Sequence, residues 1–96
     1  MAEFIARLEI EDFDVWRASH DANAFNRQSH GMLDRARYRD VDDPSSVLIH
    51  VEVEDLERAL QWLQSEEGRL SAAGATIKRR DFLVVQKVQL GLTEEE

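Results

Sequence analysis

Hydrophobic and polar residues alternate most regularly over two neighbouring segments in the middle of the chain, residues 33–41 and 47–53. Side chains of a strand point alternately to its two faces, so each segment predicts a β-strand with one buried face. In the second strand the apolar face holds Val47, Ile49, Val51 and Val53, and the other face holds Leu48, His50 and Glu52. Residues 42–46 contain Asp, Pro and Ser, which favour a tight turn because proline presets φ and the polar side chains bond nearby backbone. Together they predict a β-hairpin.

The residues before this hairpin predict a strand and then a helix. Residues 3–10 alternate, with Phe4, Ala6, Leu8 and Ile10 on one face. Asp12 or Asp14 is suited to cap a helix over residues 13–29, because a carboxylate near a helix N-terminus accepts its free N–H groups. The helix carries two apolar stripes, one of Val15, Ala18, Ala22 and Phe25, the other of Phe13, Trp16, His20, Ala24 and the stem of Arg27. Two apolar stripes indicate that the helix contacts two other surfaces. Gly31 is expected to end the helix as a C-terminal cap residue.

The residues after the hairpin predict a second helix and a last strand. Asp55 is suited to cap a helix with one apolar stripe, formed by Leu56, Ala59, Leu60 and Leu63 with Trp62 at its flank. Residues 66–68 interrupt it, and residues 69–73 add a short helical turn that ends at Gly74. A strand over residues 76–90 is apolar on both faces, which predicts burial on both sides. Residues 91–96 lose all periodicity and predict an acidic mobile tail.

The element order β-α-β-β-α-β predicts a ferredoxin-like α+β domain over residues 1–90, with a four-stranded antiparallel sheet and the helices on one face. The uncovered face would mix apolar and charged side chains: Ile5, Leu48, Leu83 and Val85 among Arg7, Glu9, His50 and Glu52. The face has too much apolar surface to be left in water, and it carries too many charges to be part of a hydrophobic core. It therefore predicts a homodimer formed through the sheet faces, in which the charges can pair.

Composition narrows the possible partners. The chain has 96 residues and a formal charge of −8, which argues against nucleic acid and anionic membranes as partners. No apolar run approaches the roughly 20 residues that cross a bilayer, and no leader segment is evident, so we expect a cytoplasmic protein. Small molecules and proteins remain as partners.

Several short sequences resemble the dimeric α/β-barrel superfamily, in particular small stand-alone proteins similar to the antibiotic-biosynthesis-monooxygenase domain. They are residues 10–16 (IEDFDVW), Arg27, Gly31, residues 38–44 (YRDVDDP) and residues 51–59 (VEVEDLERA). The resemblance covers the chain from Phe4 to Val88. It implies a barrel completed across a dimer, with the ligand inside each subunit between sheet and helices. Members with known roles include cofactor-independent monooxygenases, isomerases, cyclases and haem-degrading enzymes, and the chain departs from them at His20, where a large apolar residue is usual.

His20 is the candidate catalytic residue. Its imidazole projects from the Trp16 stripe towards the expected pocket, where it would take a proton from a bound substrate near neutral pH. The alternative is a packed histidine with one satisfied hydrogen bond.

The candidate ligand-binding residues are aromatic. Tyr38 would orient a substrate oxygen, or else pack across the sheet. Trp16 and Trp62 would stack on a ligand, or else form core and pocket wall.

Other polar residues are assigned more ordinary roles. His50 is expected at the dimer interface beside Arg7 and Glu9. Three arginines expected on one strand face, Arg35, Arg37 and Arg39, would hold an anionic substrate together with Lys78, Arg79 and Arg80, or else these residues would be solvated or paired. No metal site or cofactor is expected, since the chain lacks cysteine, a His-x-x-x-His pair and a glycine-rich phosphate loop.

Two classes of function therefore remain open. One is a cofactor-independent monooxygenase, isomerase or cyclase acting on a small aromatic or polyketide-like molecule. The other is a non-catalytic dimeric module that binds a small ligand or a protein.

Overall fold

The computed structural model describes residues 2–89 and 91, so residues 92–96 of the predicted tail lie outside the described residues. The chain forms β1 (Ala2–Ile10), α1 (Phe13–Ala22), α2 (Ala24–Ser29), β2 (Met32–Arg39), β3 (Ser46–Val53), α3 (Leu56–Gln64), α4 (Glu66–Gly74) and β4 (Ile77–Val85). The strands form one antiparallel sheet in the order β2-β3-β1-β4. The predicted ferredoxin-like α+β fold is confirmed.

The helices cover one face of the sheet, and the core lies between them. Two adjoining clusters form this core: Phe4, Met32, Val51, Val53, Ala59 and Trp62, and Ala6, Leu8, Ile10, Trp16, Val47 and Ala75. The alternation predicted for β1 and β3 is therefore correct, since their buried apolar residues face the helices. None of the helices in the described part of the chain is long and apolar enough to cross a membrane.

The residues that cap the helix ends lie where the sequence predicts them. The Asp12 carboxylate accepts the backbone N–H of Val15, and the Asp55 carboxylate accepts that of Arg58, each at 3.1 Å. Gly31 follows α2 with φ +79°, a left-handed conformation that glycine adopts without steric cost. The two aspartate caps fix the residues at which α1 and α3 begin.

Both predicted helices are divided. The first breaks at Asn23, and the second breaks at Ser65 rather than at residues 66–68. Gly68 lies inside α4, so its assignment to an interruption is wrong. The stripe of Val15, Ala18, Ala22 and Phe25 is exposed in the single chain, whereas the Trp16 stripe packs on the sheet.

The last strand differs most from its prediction. β4 ends at Val85, five residues before the predicted end, and it lies at an edge of the sheet. The alternation of residues 82–85 is correct, but both faces are largely exposed, with Leu83 63% exposed. Burial on both sides is therefore wrong for the single chain, because the short helices leave this edge uncovered.

A β-bulge at Arg35 changes which residues of β2 share a face. Arg37 and Arg39 pair with Ile49 and Val47, and they face the helices. Arg35 instead reaches the open face, where its guanidinium donates to Glu52 at 2.6 Å. The expectation that these three arginines share one face is wrong, because the extra residue reverses the alternation after Asp34.

Candidate functional site

A cavity of about 70 Å³ lies between the sheet and the helices. Its walls come from β1, β3 and β4 on one side and from all four helices on the other: Leu8, Trp16, Ser19, His20, Asn23, Arg27, Ile49, Trp62, Leu63, Gly68, Ser71, Ala72, Ala75, Ile77 and Arg80. The volume holds roughly five water molecules. The only charged side chains among these lining residues are arginines.

Trp16 and His20 form one wall of the cavity. They lie one turn apart on α1, and their rings stack with centroids 4.9 Å apart and planes 24° apart. Trp16 is 1% exposed. The opposite wall carries Trp62 of α3, whose ring stacks on His30 at 5.3 Å. The structure therefore brings together three of the four predicted site residues.

Three buried nitrogens on these walls have no hydrogen-bond partner among the described residues: Trp16 Nε1, His20 Nε2 and Trp62 Nε1. Nearly all buried polar atoms in folded proteins are paired. Leaving one unpaired costs about 1–3 kcal/mol. The partners of these three atoms are then a bound molecule or ordered water.

The other ring nitrogen of His20 is occupied. Arg37 Nη1 lies 3.2 Å from His20 Nδ1 and donates to the Asp21 carboxylate at 2.6 Å. Burial, reinforced by the charge of Arg27, lowers the pKa of His20 to about 4. The hydrogen bond from Arg37 holds the pKa of the Asp21 carboxyl below its usual range. The imidazole is therefore neutral at pH 7 and a weak base.

Two further arginines line the cavity: Arg80, which was predicted among the residues that could hold an anionic substrate, and Arg27, which was predicted only as part of the Trp16 stripe. Arg27, 8% exposed, binds both oxygens of Asp34, at 3.1 and 2.7 Å, and donates to the carbonyl of His20 at 2.7 Å. Arg80 is half-buried, which lowers its pKa. No carboxylate among the described residues lies within 4.0 Å of Arg80. Arg27 completes a salt bridge, whereas Arg80 brings an unneutralised positive charge to the cavity.

A sequence signal existed for both residues. Arg27 stands on the same stripe as Trp16 and His20, and a charged residue on a buried stripe needs a partner. Arg80 alternates with Phe82 along β4 and pairs with Leu8 of β1, which places it on the helix side of the sheet.

Tyr38 does not line this cavity. It pairs with Leu48 on the open face of the sheet and is 60% exposed. Without the bulge at Arg35, Tyr38 would share the face of Asp34 and point towards the helices. The structure therefore places Tyr38 outside this cavity, although it borders a separate surface depression that Trp16 also lines.

The open face carries a second group of polar residues. His50 Nε2 lies 2.5 Å from the carboxylate of Glu3, and Glu52 pairs with Arg35. The predicted neighbours of His50 were Arg7 and Glu9, but its cross-strand partner on β1 is Ile5. No three His, Cys, Asp or Glu side chains in the described part of the chain come close enough together to hold a metal ion.

Comparisons with known proteins reveal the fold's relatives. No protein-family model and no curated protein matches the sequence. Among solved structures, one described as an antibiotic biosynthesis monooxygenase superposes with a TM-score of 0.69 at 17% identity, over 93% of this chain and 100% of that one. A mutant of SnoaB, a cofactor-independent oxygenase from Streptomyces nogalater, superposes with a TM-score of 0.72 at 13% identity, over 94% and 95%. The chain has the α+β fold of the antibiotic biosynthesis monooxygenase-like proteins.

Proposed function

We propose that the protein is a small-molecule enzyme of the cofactor-independent oxygenase type, with the cavity between α1, α3 and the sheet as its active site. The observation that carries the proposal is the set of three unpartnered buried nitrogens at that cavity. The fold supports the same reaction class, because a protein described as a cofactor-independent oxygenase superposes over nearly the whole chain.

The donors define the ligand. The indole nitrogens of Trp16 and Trp62 can only donate, so their partners are acceptor oxygens of a bound molecule. Arg80 adds a positive charge, and none of the described residues that line the cavity is a carboxylate. Such a site favours an oxygen that carries negative charge, as in a phenolate or an enolate. These donors favour a small aromatic or polyketide-like molecule with an acidic hydroxyl or a 1,3-dicarbonyl group. Because a cavity that holds benzene measures about 150 Å³, the cavity of about 70 Å³ must widen to admit such a substrate.

This arrangement explains how the reaction begins without a strong base. The site lowers the pKa of the bound hydroxyl or C–H acid because its donors and positive charge stabilise the anion. The proton is therefore lost to water. The electron-rich carbon of that anion then gives electrons to dioxygen. A CH₂ group becomes a carbonyl carrying one oxygen atom, and its two hydrogens leave with the other oxygen atom as water.

Oxygen uptake tests the proposal. A panel of hydroxylated aromatic ketones and 1,3-diketones is incubated with the protein and a metal chelator, while an oxygen electrode and mass spectrometry follow consumption and product. We expect uptake with at least one compound, lost in Arg80→Met. Absence of both binding and uptake across the panel would overturn the proposal.

The alternative is a non-catalytic module that binds the same kind of anion. The weak basicity of His20 favours it, because no other imidazole lines the cavity. Quenching of tryptophan fluorescence by panel compounds, with no oxygen uptake and no change in their mass, would select this alternative.

We further propose that the chain is a homodimer joined through its open sheet faces. The open face exposes apolar side chains, Ile5, Leu33, Tyr38 and Leu83, around ion pairs that are already satisfied within the chain. Pairing two such faces removes the apolar surface from water and brings a second copy to Arg7, which makes no salt bridge among the described residues.

A further inference from the structure

We infer that His20 acts in the cavity as a hydrogen-bond donor, and that Arg37 is the positioning residue that holds it in the Nε2–H tautomer. The inference rests on the proposed function, whose site it completes. It replaces the proton-accepting role expected for His20 from the sequence. The bound molecule then presents an acceptor oxygen to the His20 N–H.

The tautomer follows from the partner of Nδ1. A guanidinium group has five N–H donors and no acceptor, so the 3.2 Å contact with Arg37 Nη1 requires a lone pair on His20 Nδ1. A neutral imidazole carries one hydrogen, which must then be on Nε2. Nε2 is the buried atom without a partner in the chain. No described group competes for its hydrogen, but a water-sized probe does not reach it, so a ligand accepts this hydrogen only when the cavity widens beside the ring.

Arg37 is itself held in place from outside the cavity. Its guanidinium donates to Asp21 at 2.6 Å and lies 6.0 Å from the centre of the Trp16 ring. Arg37 does not line the cavity. It acts through His20, by fixing which nitrogen carries the hydrogen.

The charged groups around His20 keep it neutral. Arg37 and Asp21 face it as one ion pair, and Arg27 and Asp34 face it as another. Each carboxylate is thus already paired with a guanidinium. Burial also opposes protonation of the ring. A doubly protonated imidazole would direct Nδ1–H at the Arg37 N–H groups, so the donor role holds across the neutral pH range.

Nuclear magnetic resonance of ¹⁵N-histidine-labelled protein reads this tautomer directly, with no ligand present. We expect a protonated Nε2 and an unprotonated Nδ1 for His20 at pH 7. Arg37→Leu should give a mixture of tautomers, and Arg37→Lys should restore the wild-type signature because ammonium also donates. Arg35→Leu is the matched control, since Arg35 lies two residues away on β2 but pairs with Glu52 on the open face. A wild-type Nδ1–H tautomer, or an Arg37→Leu spectrum like that of wild type, would overturn the inference.

A nitrophenolate, whose visible absorption reports its ionisation, probes the donor role. We expect its affinity to fall about tenfold in His20→Phe, which removes a donor to a charged oxygen. It should fall only about twofold in Arg37→Leu, where the mixture of tautomers lowers the fraction of donor-competent rings, and stay unchanged in Arg35→Leu. Equal affinity of His20→Phe and wild type would refute the donor role. If the labelled protein shows the Nε2–H tautomer but no panel compound or nitrophenolate binds, the proposed function fails while the tautomer assignment stands.

Discussion

Replacing Gly68 with alanine tests how closely α4 is seated against the end of α3. A Cβ added at Gly68 would lie 2.2 Å from the carbonyl oxygen of Trp62 and 3.1 Å from the Cα and carbonyl oxygen of Leu63. All three atoms belong to backbone, so no side chain can rotate away to make room. Gly68→Ala therefore requires α4 to move off the cavity wall.

The magnitude follows from two opposing effects. Overpacking a close contact costs about 3 kcal/mol at the upper end of its usual range. The better helix propensity of alanine returns up to about 1 kcal/mol. The free energy of unfolding should thus fall by about 2 kcal/mol. With a urea slope of about 1 kcal/mol/M, the midpoint moves down by about 2 M.

Urea titration followed by the fluorescence of the two tryptophans measures the effect. Gly74→Ala is the matched control in the same helix, because an added Cβ there meets nothing within 4 Å. That substitution should leave the midpoint unchanged or raise it slightly. Equal midpoints for the two variants would refute the close seating of α4.

Three further predictions test the site and the assembly. Because burial and then Arg27 lower the pKa of His20 from 6.5 to about 4, the unfolded chain binds a proton in this window that the folded chain does not. The free energy of unfolding should decrease as the pH is lowered from 6.5 to 4, and it should decrease less in His20→Phe than in wild type. If the urea midpoints of the two proteins had the same pH dependence, the burial of the ring would be contradicted. Arg27→Met should lower the free energy of unfolding by about 2 kcal/mol by leaving Asp34 without its partner, and adding Asp34→Leu should recover part of that loss in the same titration. Light scattering should give twice the 11.1 kDa chain mass, and Leu83→Arg on the open face should give the chain mass; a wild-type monomer at micromolar concentration would disprove the sheet-face dimer.

Local sequence signals predicted the elements well where a single residue decides the geometry. Asp12 and Asp55 cap helices, Gly31 adopts a left-handed conformation, and β1 and β3 bury the faces that their alternation predicts. For the caps and for Gly31 the deciding interaction lies within a few residues of the signal, and for the strands the alternation itself selects the face that is buried. These elements suffice to specify the sheet and its helix layer.

Features that depend on distant packing were not predictable in the same way. The bulge at Arg35 carries no glycine or proline, yet it decides that Arg37 reaches His20 and that Tyr38 does not reach the cavity. The edge position of β4 depends on the order of strands in the sheet. The pairing of His20 with Arg37 joins residues 17 positions apart. The helical periodicity predicted that His20 faces the cavity. It contained no information about the partner of the second ring nitrogen.

Ser65 joins the two helices that form one wall of the cavity. Its hydroxyl donates to the carbonyl of Trp62 at 2.5 Å and accepts the N–H of Gly68 at 3.1 Å, so one side chain ends α3 and begins α4. Among the described side chains of α4, few are buried, and Leu70 is largely exposed. Elements with little buried apolar surface open locally at low free-energy cost. The amide protons of α4 should therefore exchange with solvent earlier than those of β1, and its transient opening about Ser65 would be the route by which a ligand enters.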